Sequence, residues 1–199
     1  MSKYLPLIIL TGMILAACGT PQTSTAPTAA PALTPMTEPM TGMDHGGSDM
    51  AAGDRYDAEF IDSMIIHHQG AIAMATEALA QAERPELQTL ATAIIAAQKA
   101  EIAQMQQWRK TWYPDLPVTP GMGMDMGSMM ISTDTSKPFD LRFIEAMIPH
   151  HAGAIMMAKD AQQQTKRPEI RQLADAISST QQTEIAQMQQ WKMDWFGQK

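Results

Sequence analysis

Residues 60–75 read FIDSMIIHHQGAIAMA, and residues 143–158 read FIEAMIPHHAGAIMMA. Both stretches belong to a longer duplication, in which residues 57–113 align with residues 140–196 without a gap and 31 of the 57 aligned positions are identical. Apolar side chains recur in each stretch at spacings of three and four, which is typical of one face of an amphipathic helix. The sequence therefore contains two copies of one helical unit.

Each copy is predicted to form a helical hairpin. The tripeptide Arg84-Pro85-Glu86 interrupts the first copy, and Arg167-Pro168-Glu169 interrupts the second. Proline disfavours helix in the residue before it and suits the first turn of the helix that follows. One helix should thus end near Glu83 and the next should begin near Pro85, each about 27 residues and roughly 40 Å long. No segment has the alternating pattern of a strand.

A linker of 25 residues, 114–138, connects the two hairpins. It contains several prolines and the Gly- and Met-rich run 121–130, and it is long enough to cross the length of a helical bundle. We therefore expect an all-α fold, a four-helix bundle of two duplicated αα-hairpins with ferritin-like connectivity and one long crossover. The predicted hairpins span residues 56–113 and 139–199.

Composition excludes several classes of protein. Lys and Arg number 14 against 21 Asp and Glu, for a net charge of −7, which argues against a nucleic-acid partner. The single cysteine excludes a disulfide framework and a thiolate zinc site. The sequence also lacks a Gly-rich phosphate loop and a nucleophile motif.

The N-terminus is interpreted as an export signal, residues 1–17. Lys3 precedes a short apolar run, which ends in Leu15-Ala16-Ala17-Cys18. This ending resembles a lipobox, so we expect cleavage before Cys18, lipidation of its sulfur and an extracytoplasmic, membrane-anchored protein, periplasmic or on the cell surface. An ordinary signal with an incidental cysteine is the alternative. Residues 18–55, rich in Pro, Thr and Ala, are predicted to be a flexible tether.

Polar side chains interrupt the apolar stripes in both hairpins. In a tight hairpin that turns at residues 84–85, residue i faces about residue 169 − i, so His68 should face Glu101. The residues gathered at one level are Met64, His67, His68, Glu101 and Met105 in the first repeat, and Met147, His150, His151, Glu184 and Met188 in the second. Met74 and Met157 should lie two turns further along the first helices.

These residues form a candidate metal site in each repeat. Burying two imidazoles and a carboxylate is costly unless they are paired or bind a metal. The alternative is a set of satisfied His–Glu pairs, with Gln98 and Gln181 completing the network and methionines filling the core. Pro149, which replaces Ile66 of the first repeat, should remove the hydrogen bond to the Glu145 carbonyl and make the two clusters unequal.

Methionine is unusually frequent, with 19 residues in 199. Nine lie outside the signal and the helices and follow no periodicity: Met36, Met40, Met43, Met50, Met122, Met124, Met126, Met129 and Met130. A thioether is a soft neutral donor that suits Cu(I) and, by the same logic, Ag(I). We therefore predict soft-metal binding by these segments, with His45 as a further ligand between Met43 and Met50. Low-complexity drift and a sacrificial oxidant sink remain alternatives.

The His-pair motif resembles the signature of domain-of-unknown-function family 305. The resemblance lies in Phe60-Ile61-x-x-Met64-Ile65-x-His67-His68-x-Gly70-Ala71-Ile72-x-Met74-Ala75 and its copy at 143–158, which carries the Pro-His-His form common in the family. It implies a ferritin-like bundle similar to CopM-like periplasmic proteins, with copper or silver held by Met and His. The matching positions are Met64, His67, His68, Met74 and Met105, and Met147, His150, His151, Met157 and Met188. Ile66 departs from the Pro-His-His form.

Three functions follow from this reading. The first is an envelope-anchored copper-binding protein, without enzymatic activity, that buffers copper, confers resistance or exchanges the ion with donor or acceptor proteins. The second is a metal-free structural or adaptor lipoprotein. The third is a ferritin-like oxidoreductase, which needs more inward Glu residues and Glu-x-x-His pairs than this chain offers.

Overall fold

The computed structural model describes residues 46–119 and 130–197, with side chains from residue 53 onward. Within these ranges the chain forms four helices and no strand: α1 (Gly46–Gln81), α2 (Pro85–Trp112), α3 (Phe139–Gln164) and α4 (Pro168–Phe196). Both α2 and α4 begin at the proline of an Arg-Pro-Glu tripeptide, as predicted. The all-α prediction is confirmed.

Two helix ends differ from expectation. Helix α1 ends at Gln81, two residues before the predicted end. It begins at Gly46, within the segment 18–55 that was interpreted as a tether, so the helical part of the chain starts ten residues before Tyr56. Residues 46–55 contain no proline and include Met50-Ala51-Ala52, whose helix propensity permits the extension despite the neighbouring glycines.

Contacts between α1 and α3 define the topology. The Tyr56 hydroxyl donates to Asp160 Oδ2 at 2.6 Å, and the Glu83 amide donates to Asp140 Oδ1 at 3.0 Å. The first half of α1 therefore meets the end of α3, and the end of α1 meets the start of α3, so the two helices run antiparallel. Because each hairpin is also antiparallel, α2 and α3 point the same way. The connection between them must span the bundle, which confirms the long crossover.

Two equivalent clamps join the repeats at opposite ends of the bundle. At one end Arg84 Nη1 donates to Asp140 Oδ2 at 3.0 Å, and the guanidinium lies 4.6 Å from the Trp195 ring centroid. At the other end the Arg167 guanidinium lies 4.3 Å from the Trp112 ring. These residues are related by the repeat offset, so the bundle has an approximate two-fold axis that exchanges its halves.

The core is divided into two apolar clusters, one toward each end of the bundle. One cluster combines the second half of α1 with the first half of α3, and the other combines the first half of α1 with the second half of α3. Each also contains residues from both α2 and α4. The two clusters are separated by buried polar side chains from the middle of all four helices, and these form the candidate site. None of the described helices is long and apolar enough to cross a membrane.

Candidate metal centre

A buried polar layer fills the centre of the bundle. Its members are His67, His68, Gln98 and Glu101 of the first repeat and His150, His151, Gln181 and Glu184 of the second. The four histidines have no exposed surface, and the two glutamines are 3% exposed. The layer is polar in a region that is otherwise apolar, so its side chains must satisfy one another or a ligand.

One histidine in each repeat is held by a glutamate. His68 Nε2 lies 2.7 Å from Glu101 Oε2, and His151 Nε2 lies 2.7 Å from Glu184 Oε2. The hairpin register predicted that His68 faces Glu101. Because an ionised carboxylate only accepts hydrogen bonds, each Nε2 carries the proton and donates it. A neutral ring then keeps its lone pair on Nδ1, which is buried and makes no hydrogen bond in either residue.

The other histidine of each pair meets its counterpart across the two-fold axis. The ring centroids of His67 and His150 lie 3.7 Å apart with planes inclined by 44°. The sequence grouped His67 with residues of its own hairpin, whereas in the structure its ring packs against His150 of the second repeat. The prediction of one separate cluster per repeat is therefore incomplete, because the two clusters share a centre.

His150 is strongly disfavoured as a cation. Burial, which is the largest effect, and the neighbouring His67, His151 and His68 rings together lower its pKa to about 2. Both of its ring nitrogens are buried, and neither makes a hydrogen bond to another side chain. His150 is therefore a neutral imidazole at physiological pH, which is the form that binds a metal ion.

The methionines group across repeats as well. Met64 and Met105 share a buried cluster with Met157 of the second repeat, and Met147 and Met188 share the other with Met74 of the first. The sequence placed Met74 and Met157 two turns further along the first helices but did not indicate which repeat they contact. The antiparallel packing of α1 on α3 decides this, because it brings the end of each first helix to the start of the other.

Pro149 lies within α3 and does not end the helix. The distances on the two sides are the same: both His–Glu contacts are 2.7 Å, and both pairs of adjacent histidine rings have centroids 6.3 Å apart. The inequality predicted from Pro149 is not seen in these distances.

The donor set fits a soft ion better than a hard one. Among the described residues, no group of three or more His, Cys, Asp or Glu side chains is arranged to hold a metal. The layer does offer imidazole nitrogen beside clusters that contain buried thioether sulfur, and such soft donors suit Cu(I). The unpartnered Nδ1 atoms of His68 and His151 and the buried sulfurs of Met64 and Met147 are the groups suited to it.

Several predicted ligands cannot be placed. Cys18, Met43, His45, Met122, Met124, Met126 and Met129 lie outside the described residues, and so do Met36 and Met40. Met50 falls in α1, where its side chain is not described. Met130 is 74% exposed at the end of the crossover.

Gln98 and Gln181 are the layer members that the sequence analysis treated only as network caps. Their Oε1 atoms are buried and have no hydrogen-bond partner, so they do not close a network. Gln98 and Gln181 occupy equivalent positions in the two repeats, three residues before Glu101 and Glu184. This repeated spacing could have assigned them to the same layer as the glutamates.

The chain resembles CopM, a protein of solved structure, over most of its described length. The structure of CopM in the Ag-bound form matches with a TM-score of 0.62 and 42% identity, over 70% of this chain and 97% of CopM. CopM in the Cu(I)-bound form matches with a TM-score of 0.61 and 43% identity, over the same shares of the two chains. A secreted DUF305 protein from Streptomyces coelicolor gives a TM-score of 0.57 at 25% identity, over 68% of this chain and 91% of that one.

A relative of known sequence and the family model agree with this match. An uncharacterised protein of Acanthamoeba polyphaga mimivirus is 47% identical over 49 residues, which span 25% of this chain and 32% of the viral protein. The model of the domain of unknown function DUF305 matches twice, over residues 11–109 and 57–192. The chain therefore belongs to the DUF305 family, as two tandem copies of its helical unit.

Proposed function

We propose that this protein is an extracytoplasmic copper-binding protein that holds Cu(I), and Ag(I) by the same chemistry, to buffer copper, confer resistance or deliver the ion. The observation that carries the proposal is a group of four fully buried histidines, among which the Nδ1 atoms of His68 and His151 make no hydrogen bond, flanked by buried thioethers. The similarity to CopM, crystallised with Ag, Cu(I) and Cu(II), supports copper as the ion. The role is binding and not catalysis.

The glutamates prepare the histidines for this role. Glu101 accepts a hydrogen bond from Nε2–H of His68 and thereby leaves the Nδ1 lone pair for a metal, as carboxylate–histidine pairs commonly do. Glu184 does the same for His151. Sulfur from Met64 and Met105, or from Met147 and Met188, would complete a low-coordinate site suited to Cu(I).

The Met-rich crossover is proposed as a second, exchangeable set of ligands. Its described ends are attached to the bundle: the Thr119 amide donates to Asp62 Oδ2, and Arg142 donates to the Ser132 carbonyl. In this proposal each thioether between residues 120 and 130 binds the ion only weakly. Several weak soft ligands exchange ions readily, which suits capture and delivery.

The cellular location is proposed from the N-terminal sequence alone. Residues 1–17 would direct export, and acyl chains on Cys18 would anchor the mature protein at a membrane surface. Mass spectrometry of the membrane fraction tests this directly. Lipidated Cys18 as the first residue is the expected result, and an unmodified Cys18 would reject the anchor.

The binding proposal is tested by Cu(I) competition with a colorimetric chelator on the mature chain under reducing, oxygen-free conditions. We expect more than one Cu(I) per chain. The double variant His68→Leu/His151→Leu should lose the tighter part of this binding. The matched control is Met156→Leu/Met193→Leu, which removes two exposed helical methionines, 50% and 41% accessible, and should bind like the wild type. A wild-type stoichiometry below one would reject copper binding.

Acidification separates the two kinds of ligand. Imidazole must be unprotonated to bind copper, so protons compete with the metal for a histidine ligand. Thioether sites should not respond. The measurement is Cu(I) affinity between pH 7 and pH 5 in a variant whose crossover methionines are replaced by leucine. A flat affinity would show that no ligand takes up a proton in this range, as expected of thioethers and of His150, whose pKa is about 2.

A metal-free structural role is the second candidate. The observation that favours it is the pair of 2.7 Å His–Glu contacts, because they satisfy one nitrogen of each ring without any ion. A ligand that binds only the folded state must raise the thermal midpoint. Equal midpoints with and without a molar excess of Cu(I) would favour the structural role.

A further inference from the structure

Helices α2 and α4 leave an opening over the polar layer. The helix pairs α1/α2, α3/α4 and α1/α3 pack closely, whereas α2 and α4 make few contacts with each other. Between these two helices lies an open groove of about 620 Å³. Next to it lies a small cavity of about 10 Å³, which is room for one water molecule, and Thr180 and Glu184 line both. We call this region the α2–α4 seam.

The small cavity is built from equivalent residues of both repeats. Its lining consists of Ile94, Ala97, Gln98 and Glu101 of α2 and Ile177, Thr180, Gln181 and Glu184 of α4, each pair separated by the repeat offset of 83. The cavity therefore lies on the two-fold axis. Gln98 and Gln181 line it, and their buried Oε1 atoms make no hydrogen bond, so two acceptor oxygens there lack a donor or a cation.

Glu184 connects this cavity to both the groove and the histidines. Its side chain lines the open groove and the small cavity, and its Oε2 contacts His151. The carboxylate is partly accessible, at 12%, whereas His151 is not. Of the described residues that line the groove and the cavity, none is Lys or Arg, and Glu86 adds a further carboxylate at the groove wall. The seam therefore attracts cations.

We propose that the α2–α4 seam is the route by which a metal cation passes between solvent and the buried histidines, with the small cavity as a transit site. The inference rests on the proposed function. In the cavity, the amide oxygens of Gln98 and Gln181 and the carboxylates of Glu101 and Glu184 replace hydration waters. Oxygen donors bind a soft cation weakly, so they pass it on without retaining it, and the imidazole and thioether ligands below hold it.

The test closes the mouth of the seam without altering the layer. Thr180 is exposed and Ala97 is half-buried, and both line the cavity. The variant Ala97→Phe/Thr180→Phe should fill the mouth, and Thr180→Trp alone provides a second variant in case the double one fails to fold. The matched control is Ala96→Phe/Gln182→Phe, two exposed neighbours that line neither cavity.

The measurement is the rate of Cu(I) uptake, and of its release to excess chelator, by stopped flow on the mature chain. The component that disappears in His68→Leu/His151→Leu is the binding by the bundle. We expect closure to slow uptake and release of this component by about tenfold or more, equivalent to about 1.4 kcal/mol in barrier height, with an unchanged dissociation constant. An obstructed route changes both rates equally and leaves the equilibrium alone.

The possible failures are distinguishable. Unchanged rates in the closed variants, or equal slowing in the control, would overturn the seam as the route while copper binding stands. A changed dissociation constant with unchanged release would also overturn it, because the substituted positions would then affect the bound state. If the wild type has no histidine-dependent component, the proposed function itself fails.

Discussion

Acidification should destabilise the metal-free protein through His150. The pKa of this residue falls from its ordinary value of 6.5 to about 2 on folding, because burial disfavours its cationic form and because His67, His68 and His151 surround it. Between these two values the unfolded chain binds a proton that the folded protein does not. Stability is therefore fully present above pH 6.5 and is lost as the pH falls toward 2.

The size of the loss follows from the same values. For one group with an unfolded pKa of 6.5 and a folded pKa near 2, a change from pH 7 to pH 5 lowers the free energy of unfolding by about 2 kcal/mol. The slope below about pH 5.5 approaches 1.4 kcal/mol per pH unit. This is a substantial share of the stability of an ordinary domain.

The assay is urea unfolding, followed by tryptophan fluorescence, at several pH values in the presence of a strong copper chelator. In this range His150→Leu should lower the number of protons taken up on unfolding by about one. The slope of the free energy of unfolding against pH should fall accordingly, whatever the effect of the substitution at neutral pH. His45→Leu removes the one histidine outside the buried layer and should keep the wild-type slope. Equal slopes for the wild type and His150→Leu would refute the assignment of a strongly lowered pKa.

Three further predictions concern the clamps, the ligands and a helix end. Asp140→Ala should lower the free energy of unfolding by about 2–3 kcal/mol, because two backbone amides lose their acceptor, whereas the exposed Asp175→Ala should change it by less than about 0.5 kcal/mol in the same urea assay. Glu184→Gln should weaken Cu(I) binding by about ten- to a hundredfold in chelator competition, and the exposed Glu169→Gln should not. Gly197→Ala should lower the free energy of unfolding by about 1 kcal/mol at most, which thermal denaturation would show as a slightly lower midpoint. The reason is that φ at this helix end is +62°, while no neighbouring atom would clash with an added Cβ.

The hairpins could be predicted because their determinants are local. The Arg-Pro-Glu tripeptides fix where each hairpin turns, and the turn fixes the register, so the contact between His68 and Glu101 follows from sequence spacing. The crossover could be predicted from its length. These features depend on residues close in sequence or on a single tight turn.

The relation between the repeats could not be predicted from spacing. Two similar hairpins can pack through several faces, and the apolar stripes do not indicate whether α1 contacts α3 or α4. The choice depends on contacts such as Arg84 with Asp140 and Trp195, whose members lie more than fifty residues apart. For this reason the stacking of His67 on His150 and the grouping of Met74 with the second repeat emerged only in three dimensions.

The duplication explains why the same polar residues occur on both sides of the central layer. Because the axis passes through the centre of the bundle, each polar side chain placed there in one hairpin appears twice. The residues of the layer are the same in both repeats, although 26 of the 57 aligned positions differ. Each buried unpartnered atom costs about 1–3 kcal/mol, which leucine at the same position would avoid. Under the proposed function, a bound cation would offset this cost for the acceptors on Gln98 and Gln181, and the opening between α2 and α4 is the route by which we propose that it reaches them.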